Sequence, residues 1–401
     1  MPKPRLLVLA STWPAIPEDG TPSFVRDLAI EEAEQFEVLA LVPRVPGSVA
    51  EEQDGPILVR RYRFFPTRWE DLADGAILEN LRARRTRWLQ LPFFLLGQLV
   101  ATRRAVRRFK PDVLHVHWIV PQGIIARIAA ARVPKLLTSP GGDIYALDSA
   151  PMRRVKRWVL GNADRVTVMN RDMLARAVEL GVPAEHARVL PMGTRLPAVD
   201  ARADSRPDIV PLPEDDRPLR ILFVGRLVEK KGLHVLLSAL RGLPASPAWT
   251  LEVGGDGPLR GASEAQAEGL PVTFHGQLDR DALDAAFARA DVVVFPSVLS
   301  ASGDQDGLPV VILDAFAAGA CIVVSDLPGL NEAVVDGVSG LIVPPDDADR
   351  LTEVLGRLLA DAPLRAHLRR GARERATEYS LETAGARYSA VLHEVLAERA
   401  R

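Results

Sequence analysis

Two acids and two cations in this chain of 401 residues are spaced as chemistry would need them. Asp306 and Asp314 lie in the stretch 304–319, Asp-Gln-Asp-Gly-Leu-Pro-Val-Val-Ile-Leu-Asp-Ala-Phe-Ala-Ala-Gly, with seven residues between them. The apolar run 291–295 before it, closed by Pro296, reads as a buried parallel strand, and a helix is expected from about Pro309. Their spacing is a little over two helical turns, so an acid just outside the N-terminus and one inside the helix can address the same crevice. That crevice faces the positive end of the helix, where an anion is favoured. Arg226 and Lys231 stand in Gly225-Arg-Leu-Val-Glu-Lys-Lys-Gly232, between another expected strand and helix. A guanidinium and an ammonium so placed suit a pyrophosphate that gains charge as it leaves. The bland alternative is a solvated basic turn.

Elements that would position these groups alternate along the whole chain. Strands are expected at 5–10, 36–42, 56–62, 113–117, 135–139, 165–169 and 188–191, with a long Pro- and Gly-bearing loop at 11–23 and a helix from about Phe24. Residues 197–218 carry five prolines and six acids with little apolar periodicity and read as a linker. A second array follows at 219–224, 249–253, 272–275, 291–295, 321–324 and 340–343. The expected fold class is therefore α/β, two doubly wound parallel-sheet domains facing a cleft. The divisions are 1–196, the linker 197–218, 219–378, and a last helix at 379–401.

The bulk numbers agree with two domains of ordinary globular composition. A single cysteine, Cys321, excludes an internal disulfide, fits a reducing compartment and reads as a small buried hydrophobe. The apolar run 6–10 is shorter than a signal-peptide core, and no segment reaches the length of a membrane span, so a cytoplasmic protein is expected. Through residue 200 there are 29 Lys and Arg against 22 Asp and Glu; thereafter there are 21 against 30. An acidic second half argues against nucleic acid as a partner.

The stretch around Asp306 resembles the signature of retaining glycosyltransferases of family 4, where a Glu-Gly-Leu-Pro loop leads into a helix carrying a second Glu. Both Glu positions hold Asp here. The resemblance spans nearly the whole chain, strongest from Gly225 to Pro344, and it implies the GT-B fold and transfer of a sugar from a nucleotide-sugar donor to a glycan or lipid-linked acceptor. It further implies that Arg226 and Lys231 hold the pyrophosphate, Asp306 the donor sugar, and Asp314 the ribose. Gly225, Gly307, Leu308 and Pro309 would line the donor. Gly276, Gln277 and Leu278 would hold the base through backbone groups, and in the family the last helix crosses back onto the first domain. Gly20 and Thr21 could bring backbone amides to the donor phosphate or sugar, with a surface turn as the alternative. His117, in a His-Val-His-Trp run similar to the family's His-x-His-Trp, and Gly141, Gly142 and Asp143 would shape the acceptor side. Pro140 stands where many members have His.

No metal and no cofactor beyond the nucleotide-sugar co-substrate are expected: two imidazoles at His115 and His117 are too few for a site, and Asp304-Gln305-Asp306 is the Asp-x-Asp of a different fold. From Asn80 to Lys110 there are nine Lys or Arg, no acid, and an apolar aromatic cluster, which suits either an anionic membrane surface or a helix packed on its sheet. Arg153, Arg154, Lys156, Arg157 and Trp158 favour the membrane, and with it a peripheral position at the inner face of the plasma membrane. Two rival readings remain open: a catalytically silent homologue that binds nucleotide or glycan, and a sugar-nucleotide epimerase.

Overall fold

Runs of Val, Leu and Ile with no room for alternation must be buried on both faces, and they are. In the computed structural model, which describes residues 2–15, 21–75, 77, 80–81, 84–146, 148–196, 217–246, 248–300 and 306–399, the chain divides into two compact units. One is Met1–Gly193 with Leu381–Arg401, the other Thr194–Ser380.

The first unit holds strands β1 (Arg5–Leu9), β2 (Glu37–Pro43), β3 (Glu51–Asp54), β4 (Ile57–Tyr62), β5 (Val113–His117), β6 (Lys135–Ser139), β7 (Arg165–Val168) and β8 (Ala187–Val189). Their order across the sheet is β3-β4-β2-β1-β5-β6-β7-β8. The direction of travel reverses between β1 and β5, so the ligand crevice of this unit is expected beyond their carboxyl ends.

One strand corrects the expectation of wholly parallel sheets: β3 pairs antiparallel with β4. Its sequence, Glu-Glu-Gln-Asp, carries no apolar residue and escapes any hydrophobic pattern. It holds as an edge strand through cross-strand charge, Arg60 to Glu51 at 2.6 Å and Arg61 to Glu52 at 2.9 Å.

The last helix, Leu381–Arg399, belongs to this unit. Gly385 lets it approach closely, since a Cβ there would meet Glu31 Cβ at 2.3 Å. Tyr388 is fully buried, stacks on His115 at 5.4 Å and donates its hydroxyl to the Leu190 carbonyl at 2.6 Å. Removing that hydroxyl in Tyr388→Phe leaves a buried carbonyl short of a donor. The expected loss is about 1–3 kcal/mol, read as a lower urea midpoint at unchanged slope.

The second unit holds β9 (Leu219–Val224), β10 (Trp249–Gly254), β11 (Val272–Gly276), β12 (Val292–Phe295), β13 (Ile322–Ser325) and β14 (Leu341–Val343), all parallel, in the order β11-β10-β9-β12-β13-β14. Here the reversal falls between β9 and β12. Cys321 is buried and its thiol is pushed up to about 12 by burial, as suits a core residue. Of the linker expected at 197–218, residues 197–216 lie outside the described residues. Arg217 pairs with the buried Asp291 at 2.8 Å.

Candidate active site

Three strand ends in the second unit are laced together by backbone hydrogen bonds: Gly225 N–H donates to the Gly254 carbonyl at 2.9 Å and Gly255 N–H to the Gly276 carbonyl at 2.7 Å. Gly255 adopts φ +134°, and a Cβ there would fall 2.0 Å from the Gly225 carbonyl oxygen. Only glycine allows this approach. Leu278 packs over Gly254, since a Cβ on that glycine would meet Leu278 Cδ1 at 2.6 Å, while Gln277 beside it is exposed.

The turn after β9 does the positioning. Lys230 and Lys231 lie in a 3-10 turn, Glu229–Lys231, that ends at Gly232 with φ +68°, where a Cβ would sit 1.7 Å from the Pro296 carbonyl oxygen. Val298 N–H also donates to the Lys230 carbonyl at 2.9 Å. The turn is thereby pinned to the chain leaving β12, which is the chain that carries Asp306. Lys231 Nζ reaches Asp306 Oδ2 at 2.7 Å and Lys230 Nζ reaches Oδ1 at 3.5 Å. Burial pushes the Asp306 carboxyl up, but the Lys231 and Lys230 ammonium groups outweigh it and hold the pKa below the ordinary carboxylate value. Asp306 is ionised and fixed in orientation.

In Gly232→Ala the methyl meets backbone that cannot move independently. We expect a loss of about 2–3 kcal/mol and weakened nucleotide binding, because Lys231 moves with the turn. Thermal unfolding with and without nucleotide measures both; an unchanged midpoint would remove the turn from the account.

Lys231 also runs over Gly225, whose added Cβ would meet Lys231 Cδ at 3.5 Å. The structure thus brings Gly225, Lys231 and Asp306 together from two distant stretches. Arg226 is exposed at the carboxyl end of β9. Gly307 and Leu308 are buried, and Pro309 caps the helix Val310–Ala317. Asp314, on that helix, has partners of its own: it accepts hydrogen bonds from the Thr194 hydroxyl and from Arg280 Nη1, the latter at 3.2 Å. Burial pushes its carboxyl up, with Arg280 and Thr194 pulling against the shift. The two acids therefore sit in electrostatically opposite surroundings.

Sequence reasoning gave no role to three of these partners. Lys230 was legible as a neighbour of Lys231, whereas Thr194 and Arg280 belong to no motif and meet Asp314 only in the folded unit. A fourth missed feature is Trp118, a non-glycine residue at φ +72° directly after β5. Its N–H donates to the Thr138 carbonyl at 2.8 Å, which helps to fasten this uncommon backbone.

In the first unit His117 is 1% exposed, and its Nδ1 has no partner among the described residues. Its ring is tilted by 34° against that of His115 at 4.1 Å, and His115 bonds Glu32 and Thr138 at 2.7 Å each. Burial drives the His115 imidazole down to about 3 and the Glu32 carboxyl well up. Asp143 accepts from the Ile119 N–H at 2.6 Å and the Ser139 hydroxyl at 2.7 Å, tying the loop after β5 to the loop after β6. Gly141 precedes the short helix Gly142–Tyr145 with φ +154°. Thr21 lies just before the helix Phe24–Glu32; Gly20 lies outside the described residues, as do Asp304 and Gln305. Among the described residues no group of three or more His, Cys, Asp or Glu is placed to hold a metal ion.

This pair of doubly wound units is the GT-B architecture. Sucrose-phosphate synthase from Thermosynechococcus elongatus superposes with a TM-score of 0.75 at 21% identity, over 99% of this chain and all of that one. Residues 19–193 match the model of the glycosyl transferase 4-like domain, and residues 204–375 that of glycosyl transferases group 1. Each half of the chain thus matches a glycosyltransferase family model. Among curated relatives, a glycogen synthase of Mycobacterium tuberculosis is 30% identical over 289 residues, 68% of this chain and 66% of that protein. A GDP-mannose-dependent alpha-(1-6)-phosphatidylinositol monomannoside mannosyltransferase of Mycolicibacterium smegmatis is 33% identical over 255 residues, 61% and 65% of the two chains. The alignments thus span just under two thirds of these relatives' length.

Proposed function

We propose that this protein is a retaining glycosyltransferase that moves a sugar from a nucleotide-sugar donor to a glycan or lipid-linked acceptor in cell-surface polysaccharide or glycolipid synthesis. The observation that carries the reading is the contact of Lys231 with Asp306 at 2.7 Å, beside Arg226 and the reversal point of the second sheet. Residues 219–378 bind the donor and residues 1–196 the acceptor. Arg226 and Lys231 neutralise the pyrophosphate as the sugar–phosphate bond breaks and charge accumulates on the departing diphosphate. An ammonium has three donors, and the Asp306 bond occupies one of those of Lys231. Asp306 orients sugar hydroxyls, and Asp314, with Thr194 and Arg280 around it, holds the ribose.

Gly225, Gly307, Leu308 and Pro309 line the donor, and Gly276, Gln277 and Leu278 meet the base. Gly20 and Thr21 approach the donor phosphate or sugar; His117, Gly141, Gly142 and Asp143 shape the acceptor side. The acceptor oxygen attacks from the face the diphosphate leaves, and its proton passes to the departing phosphate oxygen. No step in this scheme calls on a metal or on a histidine at position 140. The setting is the cytoplasm, at the inner face of the membrane, with no nucleic-acid partner.

Incubation with UDP-, GDP- and ADP-sugars, with and without acceptor glycans, tests the reading. A product with the donor's anomeric configuration, formed equally in excess chelator, is expected. A changed sugar formed without acceptor marks an epimerase instead.

The shortened acids and Pro140 favour a second reading, a silent homologue that binds without turnover. Restoring Glu at 306 and 314 and His at 140 separates the two: a large gain marks decay, and a loss marks a site tuned to its present residues.

A further inference from the structure

A groove of about 1090 Å³ opens in the first unit between β4 with the chain that follows it and the helix Leu91–Phe109. Its volume lies just above the usual span of small-molecule sites, roughly 300–1,000 Å³. Gly97 sets the approach of the two walls, since a Cβ there would fall 2.9 Å from the Arg63 carbonyl oxygen.

The groove has two chemistries along its length. Phe65, Phe93, Leu96 and Val100 line one part, with Phe65 and Phe93 in ring contact at 5.6 Å. Phe93 and Leu96 are 52% and 57% exposed, and Trp88 and Leu89 on the preceding turn are 56% and 68% exposed. Large apolar side chains gathered in the open mark an interaction site. Phe94 of the same helix is fully buried, so the core does not need the others. Beyond Val100 the same solvent face of the helix turns basic. Arg104 and Arg108 line the groove with Arg60 and Arg63, Arg60 being paired with Glu51 at 2.6 Å, the one acid among the described lining residues. From Phe93 to Arg104 the helix rises roughly 16 Å.

An apolar trough that ends among arginine side chains is complementary to an amphiphile with an anionic head. Arginine forks bind phosphate in bidentate fashion. Among the described residues no helix is long and apolar enough to cross a membrane, so contact would be made at the surface. We propose that this groove holds an anionic phospholipid of a bilayer surface, its acyl chain against Phe93, Leu96 and Val100 and its phosphate among Arg63, Arg104 and Arg108. The site is built wholly from the first unit and does not depend on the nucleotide chemistry proposed above. The basic helix Ala150–Leu160 is not part of it. Lys156 there is turned inward, donating to the Ile144 and Ala146 carbonyls at 2.9 and 2.5 Å, which corrects its expected place on a membrane-facing cluster.

Co-sedimentation with vesicles of equal parts phosphatidylglycerol and phosphatidylcholine, at low and high salt, tests the proposal. The wild type should bind at low salt, be released at high salt, and ignore pure phosphatidylcholine. Arg104→Glu with Arg108→Glu should lower partitioning roughly 20-fold or more, and Phe93→Ser with Leu96→Ser should lower it at least tenfold. These side chains are exposed, so circular dichroism and melting should match the wild type, and nucleotide binding should be unchanged. Arg154→Glu with Arg157→Glu should bind as the wild type does. Absence of wild-type binding, equal binding to pure phosphatidylcholine, or an equal loss in the Arg154/Arg157 variant would overturn the proposal, whatever the outcome for glycosyl transfer.

Discussion

Lys231→Ala should lower kcat/KM for sugar transfer roughly a thousandfold, about 4 kcal/mol of transition-state stabilisation. The size follows from where the ammonium stands. It is held at the end of β9 by the Gly232 turn, its stem lies over Gly225, and its Nζ is fixed by Asp306 at 2.7 Å. A preorganised cation costs nothing to reorient as the diphosphate gains charge, so its effect is greater in the transition state than in the bound donor. kcat and kcat/KM should therefore fall together. The structural cost is smaller, about 1 kcal/mol, because Lys230 remains 3.5 Å from Asp306 and the pair is only partly buried. A variant with kcat unchanged and only KM raised would assign Lys231 to simple binding.

Asp306→Asn should have an effect of similar size on kcat/KM, by a different route. The amide keeps the shape and removes the charge, so Lys230 and Lys231 face each other without their counter-ion and the sugar loses an oriented acceptor. This variant also carries a pH signature. The Asp306 pKa in the folded protein lies below its unfolded value, despite burial, because of Lys231 and Lys230. The carboxylate's contribution to stability is then complete above the unfolded pKa, about 4, and is lost as pH falls through the folded one. The wild type should exceed Asp306→Asn in stability near pH 7 and approach it in acid. A difference that stays constant down to about pH 2 would mean that the ion pairs do not form in solution.

The central strands were legible because runs such as Leu6–Ala10 and Val292–Phe295 are too uniformly apolar for anything but a sheet covered on both sides. β3 was not, because its four polar residues are held by ion pairs with β4, which a hydrophobic pattern cannot register. At the site, Arg226, Lys231 and Asp306 were visible as chemistry at strand ends, since glycine-bearing turns and isolated charges in short loops are local signals. The partners of Asp314 were invisible for the opposite reason. Thr194 lies 120 positions away, and nothing in its neighbourhood of sequence marks it. Lys156 shows the same limit in reverse: a helix full of basic residues looks solvated, yet one ammonium is spent on the carbonyls of Ile144 and Ala146.

The most direct test of the proposed pyrophosphate site is calorimetric titration of the wild type, Arg226→Ala and Lys231→Ala with UDP, GDP and ADP. One nucleotide should bind the wild type, and each variant should weaken it at least tenfold, while Arg104→Glu with Arg108→Glu should leave it unchanged. If none of the three binds, or if both cation variants bind as tightly as the wild type, the pyrophosphate is not held where Lys231 meets Asp306.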